Sequence, residues 1–409
     1  MKTIALVGTF DSKGEEFLFA KTLIERLGLK ALTIHAGSFA PFFVPDVSNE
    51  EVAAAAGVKL AEVADTKDRG YAAEVMARGL SSLIPRLYEE VRFDGILSFG
   101  GSGGTTLATA GMRALPFGVP KVMVSTMASG NVATYVGTSD IVMIPSLVDV
   151  AGLNKISRTV FARAVCAVAG MVGYEEKAAE GIAEAAAGEE DKPAIAATMF
   201  GVTTPCVSLA KELLEEAGYE VIVFHANGAG GKMMEKMISQ GVFAGVLDLT
   251  TTEVCDDVHG GVLSAGPHRC ETAISAGLPQ VVSVGACDMI NFDHVSTVPG
   301  QYKDRNLYIH NPANTLMRMT EQESAAVGKC LAEKWNEAGT AMTVLLPAEG
   351  VSALDAAGRP FDGPAERAAL FAAIKDTLTN PLVRVKELSC NINDKEFAQE
   401  AVRELLSLL

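Results

Sequence analysis

Two kinds of stretch in this chain carry residues suited to chemistry. The first is Ser98-Phe99-Gly100-Gly101-Ser102-Gly103-Gly104-Thr105-Thr106. Four glycines in five positions leave backbone N–H groups open to close approach. The apolar run before them reads as a buried strand, and Leu107 to Ala114 after them reads as a helix. Strand, glycines and helix start together predict an anion cradle, because free N–H groups and the helix dipole point into one space. The alternative is a glycine-rich turn that only reverses the chain. No Lys follows the last glycine, so this is neither a Walker loop nor the GxGxxG fingerprint. Gly8-Thr9-Phe10-Asp11-Ser12-Lys13-Gly14-Glu15-Glu16 follows another predicted strand. Lys13 is placed there as a phosphate counter-charge and Asp11 as a ligand to magnesium or a ribose hydroxyl. Alternatively, Asp11 and Ser12 only cap the next helix.

The second kind of stretch runs from Asp248 to Glu271, where Asp257, His259, His268 and Arg269 stand among other titratable groups. Four of the six histidines lie between positions 259 and 310. Such a cluster suits acid/base work on a small molecule or a metal. No pair has HxxxH or HExxH spacing, so the metal remains unknown. The bland reading is helix capping with His268 as a surface residue.

These stretches must be held by strands, and the strands repeat. Thr3–Val7, a helix ending at Gly28 and Lys30–Ile34 form one βαβ unit. Pro193–Gly201, a helix ending at Gly218 and Val221–Phe224 form another. At an offset of 190, seven of 21 positions in 17–37 are identical, including Gly28/Gly218 and His35/His225. Phe93–Leu97 corresponds to Phe243–Leu247, and Gly118–Val122 to Gly277–Val281. The pattern predicts an α/β protein of two tandem Rossmann-like three-layer domains with mostly parallel sheets. The expected boundaries are 1–185 and 190–409, joined by the acidic, alanine-rich run Gly181 to Lys192. In parallel sheets ligands sit beyond the carboxyl ends of the strands, which is where both chemical stretches fall. The shared His35 and His225 read as structural, and Lys155 to Gly173 reads as a helix apolar nearly all round.

Composition narrows the function classes. The chain has 409 residues, 49% hydrophobic and 21% charged, with a net charge of −16. It is apolar enough for large cores, and its acidity argues against nucleic-acid or anionic-membrane partners. Seven scattered cysteines without a CxxC pair fit reduced thiols in the cytoplasm. No apolar run is long enough to span a bilayer.

Three motifs together, Gly8 to Glu16, Gly100 to Thr105 and Gly266-Pro267-His268-Arg269, resemble the ATP-binding family named for the tomato mosaic virus resistance protein. The resemblance extends over the whole chain. It implies two Rossmann-like domains, ATP with magnesium mainly in the first, and a homodimer. Gly8, Thr9, Asp11, Lys13, Gly14, Gly100, Gly101, Ser102, Gly103, Gly104 and Thr105 would form the nucleotide site. His259, His268, Arg269 and Asp257 would serve an unknown small molecule. The expectation is an ATP-using enzyme, ligase- or kinase-like. The alternatives are a nucleotide-gated regulator without turnover and a metal-dependent hydrolase.

Overall fold

The computed structural model describes residues 1–65, 68–174 and 192–409. The expected linker therefore lies outside the described residues, save Lys192. The chain divides into two compact units, Met1–Glu189 and Glu190–Leu409.

The first unit alternates strand and helix: β1 (Thr3–Gly8), α1 (Gly14–Arg26), β2 (Lys30–His35), α2 (Asn49–Ala55), α3 (Leu60–Asp65), α4 (Arg69–Glu89), β3 (Gly95–Gly100), α5 (Ser102–Ala114), β4 (Lys121–Ser125), α6 (Ala133–Val136), β5 (Val142–Pro145) and α7 (Lys155–Val172). The strands form one parallel sheet in the order β2-β1-β3-β4-β5. The central strands are near-continuous runs of buried apolar residues because helices cover both faces. One face packs Ile96 and Met123 with Leu80 and Met112. The other packs Leu97 and Phe99 with Phe17, Phe161 and Val165. Helix α7 buries Val160, Phe161, Ala164, Val165, Val168 and Val172 along one stripe and leaves Ile156 and Cys166 exposed. The sequence suggested burial all round; helical spacing confines it to one side.

The second unit comprises β6 (Ala194–Met199), α8 (Thr204–Glu216), β7 (Glu220–His225), α9 (Ala229–Ser239), β8 (Gly245–Thr250), α10 (Thr252–His259), α11 (Thr272–Ser275), β9 (Gln280–Gly285), β10 (Met289–Phe292), β11 (Leu307–Asn311), β12 (Asn314–Arg318), α12 (Glu321–Trp335), β13 (Met342–Pro347), α13 (Pro364–Thr377), β14 (Val383–Leu388) and α14 (Lys395–Leu408). Its main sheet is parallel in the order β7-β6-β8-β9-β13-β14. Position for position, that is the first sheet's order with one strand added. The duplication is thus one of topology as well as of residues. Between β9 and β13 lies a small antiparallel sheet, β10-β12-β11. The sequence did not suggest it, because strands of four and five residues carry too few alternations to register.

In each unit the sheet reverses its winding between its first and third strands, β1/β3 and β6/β8. The loops leaving those strands therefore flank the crevice where ligands of such sheets sit.

Candidate functional site

In the first unit the loop after β3 leads straight into α5. The N-cap position, Gly101, offers no side chain, and the N–H groups of Ser102, Gly103 and Gly104 make no hydrogen bond among the described residues. A 13-residue helix thus keeps its positive end bare. The glycines are not alike. A Cβ on Gly100 would lie 2.9 Å from the Gly104 Cα, so tight turning needs that glycine. A Cβ on Gly101 or Gly104 would meet nothing closer than 3.8 and 3.6 Å, and one on Gly103 nothing within 4 Å. Packing does not demand these three; a ligand approaching the backbone would.

The hydroxyls behind the turn are already engaged. The Thr105 hydroxyl bonds to the Gly101 carbonyl (2.8 Å) and the Ser125 hydroxyl (2.6 Å), and Ser125 accepts the Met127 N–H (2.9 Å). Thr105 is fully buried, so it braces the turn against β4 and cannot reach a ligand. The sequence could not separate these roles.

The β1–α1 loop lies beside this turn. Thr9 closes it, accepting the N–H groups of Ser12 (3.2 Å) and Lys13 (2.9 Å) on its carbonyl. The Lys13 ammonium donates to the Val150 carbonyl. Asp11 caps nothing: its Oδ2 accepts the Phe39 N–H (3.1 Å), while Oδ1 is shut from solvent without a donor. Gly8 and Gly14 are packing glycines, since a Cβ would fall 1.9 Å from the Phe17 ring and 2.1 Å from the Phe42 Cβ. His35, fully buried, accepts the Phe10 N–H (3.1 Å) and the Gly37 N–H (3.3 Å) on Nδ1 and gives its Nε2 proton to the Phe39 carbonyl (2.9 Å). The loop after β2 is therefore pinned, yet it holds Phe39 and Phe42 in solvent at 73% and 59% exposure. The sequence reading missed these rings; the signal was Phe-Ala-Pro-Phe-Phe in a loop.

The second unit does not assemble the expected acid/base cluster. Arg269 is 1% exposed. It bonds both Asp248 carboxylate oxygens (2.6 and 2.8 Å), Glu253 Oε2 (2.7 Å), Glu235 Oε1 (3.3 Å) and the Thr250 carbonyl (3.4 Å). With its donors spent, it is a buried counter-ion and not a substrate ligand. Glu253 Oε1 in turn accepts the N–H groups of Gly228 (2.6 Å) and Gly231 (3.1 Å) at the start of α9. The chain thus supplies its own anion to that helix. His259 bonds the Glu323 carbonyl (3.1 Å), exposed Asp257 accepts the Ser264 hydroxyl (2.7 Å), and exposed His268 pairs with Glu271 (2.8 Å). Each turns to a different partner. Among the described residues no three or more His, Cys, Asp or Glu come together as a metal site. Cys255 is buried, and burial holds its thiol well above the ordinary range, so it is no thiolate nucleophile.

Two buried carboxyls are perturbed. Burial raises Asp256 to about 7, against the bonds it accepts from Asn291 and Leu263. Burial and then the nearby Asp355 raise Asp288 to about 7, and Ser352 donates to it at 2.8 Å.

Residues 2–177 match the model described as the Uncharacterised protein family (UPF0261) N-terminal domain, and residues 192–409 match that of its C-terminal domain. The chain belongs to this family. A UPF0261 protein of Clostridium tetani is 48% identical over all of this chain and 99% of its own length. The ToMV resistance protein Tm-1(GCR237) of Solanum lycopersicum is 42% identical over 83% of this chain and 45% of its own. Among solved structures, the Streptomyces glycosyltransferase SsfS6, complexed with thymidine diphosphate, covers 100% of this UPF0261 chain and 96% of its own. Its identity of 12% and TM-score of 0.18 are too low to carry an argument. No helix among the described residues of the UPF0261 chain is long and apolar enough to cross a membrane.

Proposed function

We propose that the first unit binds a nucleotide, ATP with magnesium, through its polyphosphate at the start of α5. The observation that carries this reading is the bare helix end: three unbonded N–H groups, at Ser102, Gly103 and Gly104, behind glycines that have room for a side chain. The donor set fits phosphate oxygens. Magnesium finds no carboxylate cage among the described residues and would be carried on the phosphates with water. Lys13 would leave the Val150 carbonyl to meet the phosphate. The strand order β2-β1-β3 spaces neighbouring loops by about 4.8 Å. A nucleotide with phosphates over β3 would thus span to the exposed Phe39 and Phe42 after β2, which offer its base a stacking surface.

The reading continues to a cytoplasmic homodimer that spends ATP on a small metabolite, ligase- or kinase-like. Calorimetry with ATP and magnesium tests the cradle. Gly103→Val should weaken binding at least tenfold and Lys13→Ala by less; unchanged affinity in both removes the cradle. Phosphate release across a metabolite panel separates the enzyme from a nucleotide-gated regulator, which would bind ATP tightly and release none.

A further inference from the structure

The residues from which the sequence suggested a metabolite site are committed elsewhere, but the second unit holds another cavity. It has a volume of about 220 Å³ and opens at the carboxyl ends of β6 and β7, beneath the β11–β12 hairpin. This is the duplicate of the corner that holds Asp11 and Lys13 in the first unit.

Its polar lining includes several donors without a partner among the described residues. Gly201 and Val202, leaving β6 just ahead of the 13-residue helix α8, have N–H groups that bond to nothing among the described residues. His225, the last residue of β7, stacks on the Phe200 ring (5.3 Å, 27°), and among the described residues its ring nitrogens make no hydrogen bond; nor do those of His310. Asn311 uses its carbonyl to hold the Ala313 N–H (2.8 Å), leaving its NH₂ group free, and the Asn314 amide is unbonded. No Asp or Glu lines the cavity, in a chain with 50 acidic against 34 basic residues. The remaining walls, Phe200, Val202 and Leu316, are apolar.

We infer that this cavity binds a small monocarboxylate with a short apolar tail. The carboxylate would take the backbone N–H pair and the imidazole and amide donors, and the tail would lie on Phe200 and Leu316. The volume equals that of about seven waters at ~30 Å³ each, which sets the ligand at about that many non-hydrogen atoms. Histidine position 225 is the counterpart of His35, whose ring is consumed by backbone bonds. In the second copy the same ring is released to the cavity. The site is separate from the α5 cradle, and nothing in its test depends on nucleotide binding.

The test is calorimetric titration of the full chain, without nucleotide, with acetate, butanoate, pentanoate and benzoate. Pentanamide is the uncharged isostere and inorganic phosphate the anion without a tail. Butanoate or pentanoate should bind at least tenfold more tightly than pentanamide or phosphate. A His225→Ala/His310→Ala variant, changed only at exposed positions, should lose at least tenfold. Histidine ring resonances, assigned with single His→Gln variants, should shift for His225 and His310 in the wild type. The proposal is overturned if no carboxylate binds at millimolar concentration, or if pentanamide or phosphate binds equally well. It is also overturned if the double variant keeps its affinity, or if the two ring signals do not move at saturation, a readout that stands even should the variant not fold.

Discussion

Replacing Arg269 by Met removes a cation while nearly conserving volume, and the structure fixes what is left behind. Asp248 and Glu253 are 3% and 0% exposed, and each loses its charge partner at 2.6–2.8 Å. Breaking a buried pair by deleting one partner costs about 3–5 kcal/mol, and here two sealed carboxylates are stranded. Against a total of about 5–15 kcal/mol for a domain, that loss brings the second unit close to unfolding. Thermal and urea unfolding of the full chain should show its transition falling while the first unit's is unmoved. Arg269→Met/Glu253→Gln should recover part of the loss at pH 7. A deficit below about 1 kcal/mol would refute the assignment of Arg269 as a counter-ion and return it to the candidate catalytic groups.

Asp256 and Asp288 set a pH dependence in the wild type. Native values of about 7 exceed the ordinary 3.8, so their stabilising contribution is full below pH 4 and drains away as pH rises through 7; for Asp256 the span is about 4 kcal/mol. Urea midpoints of the second unit that rise from pH 5 to 8 would contradict this. Gly8→Ala should cost about 1–3 kcal/mol through overlap with Phe17, whereas Gly103→Ala, in open space on a helix, should be neutral or stabilising by up to about 1 kcal/mol, both read by thermal unfolding. Phe39→Ala/Phe42→Ala should leave stability within about 0.5 kcal/mol and weaken ATP at least fivefold while sparing tripolyphosphate; equal loss of both would remove the base-stacking role.

The repeat was readable because it rests on local signals: branched strands, helix faces and the glycines that end helices. Burial was not readable. Arg269 sits in a motif with His268, yet its partners lie 16, 21 and 34 residues earlier, and only the fold shows that they enclose it. Thr105 looked like a cradle hydroxyl until β4 brought Ser125 against it. His225 and His310 share a cavity through a hairpin the sequence did not announce, and the duplicate histidines suggested one structural role where the fold assigns two.

Glu253 stands, by the pairing of Phe93–Leu97 with Phe243–Leu247, where the first copy has Gly103. Gly103 leaves the start of its own helix bare, whereas the Glu253 side chain crosses to the N–H groups of Gly228 and Gly231 at the start of α9 and is held there by Arg269. Neither Glu253 nor Arg269 can be exchanged alone without stranding the charge of the other.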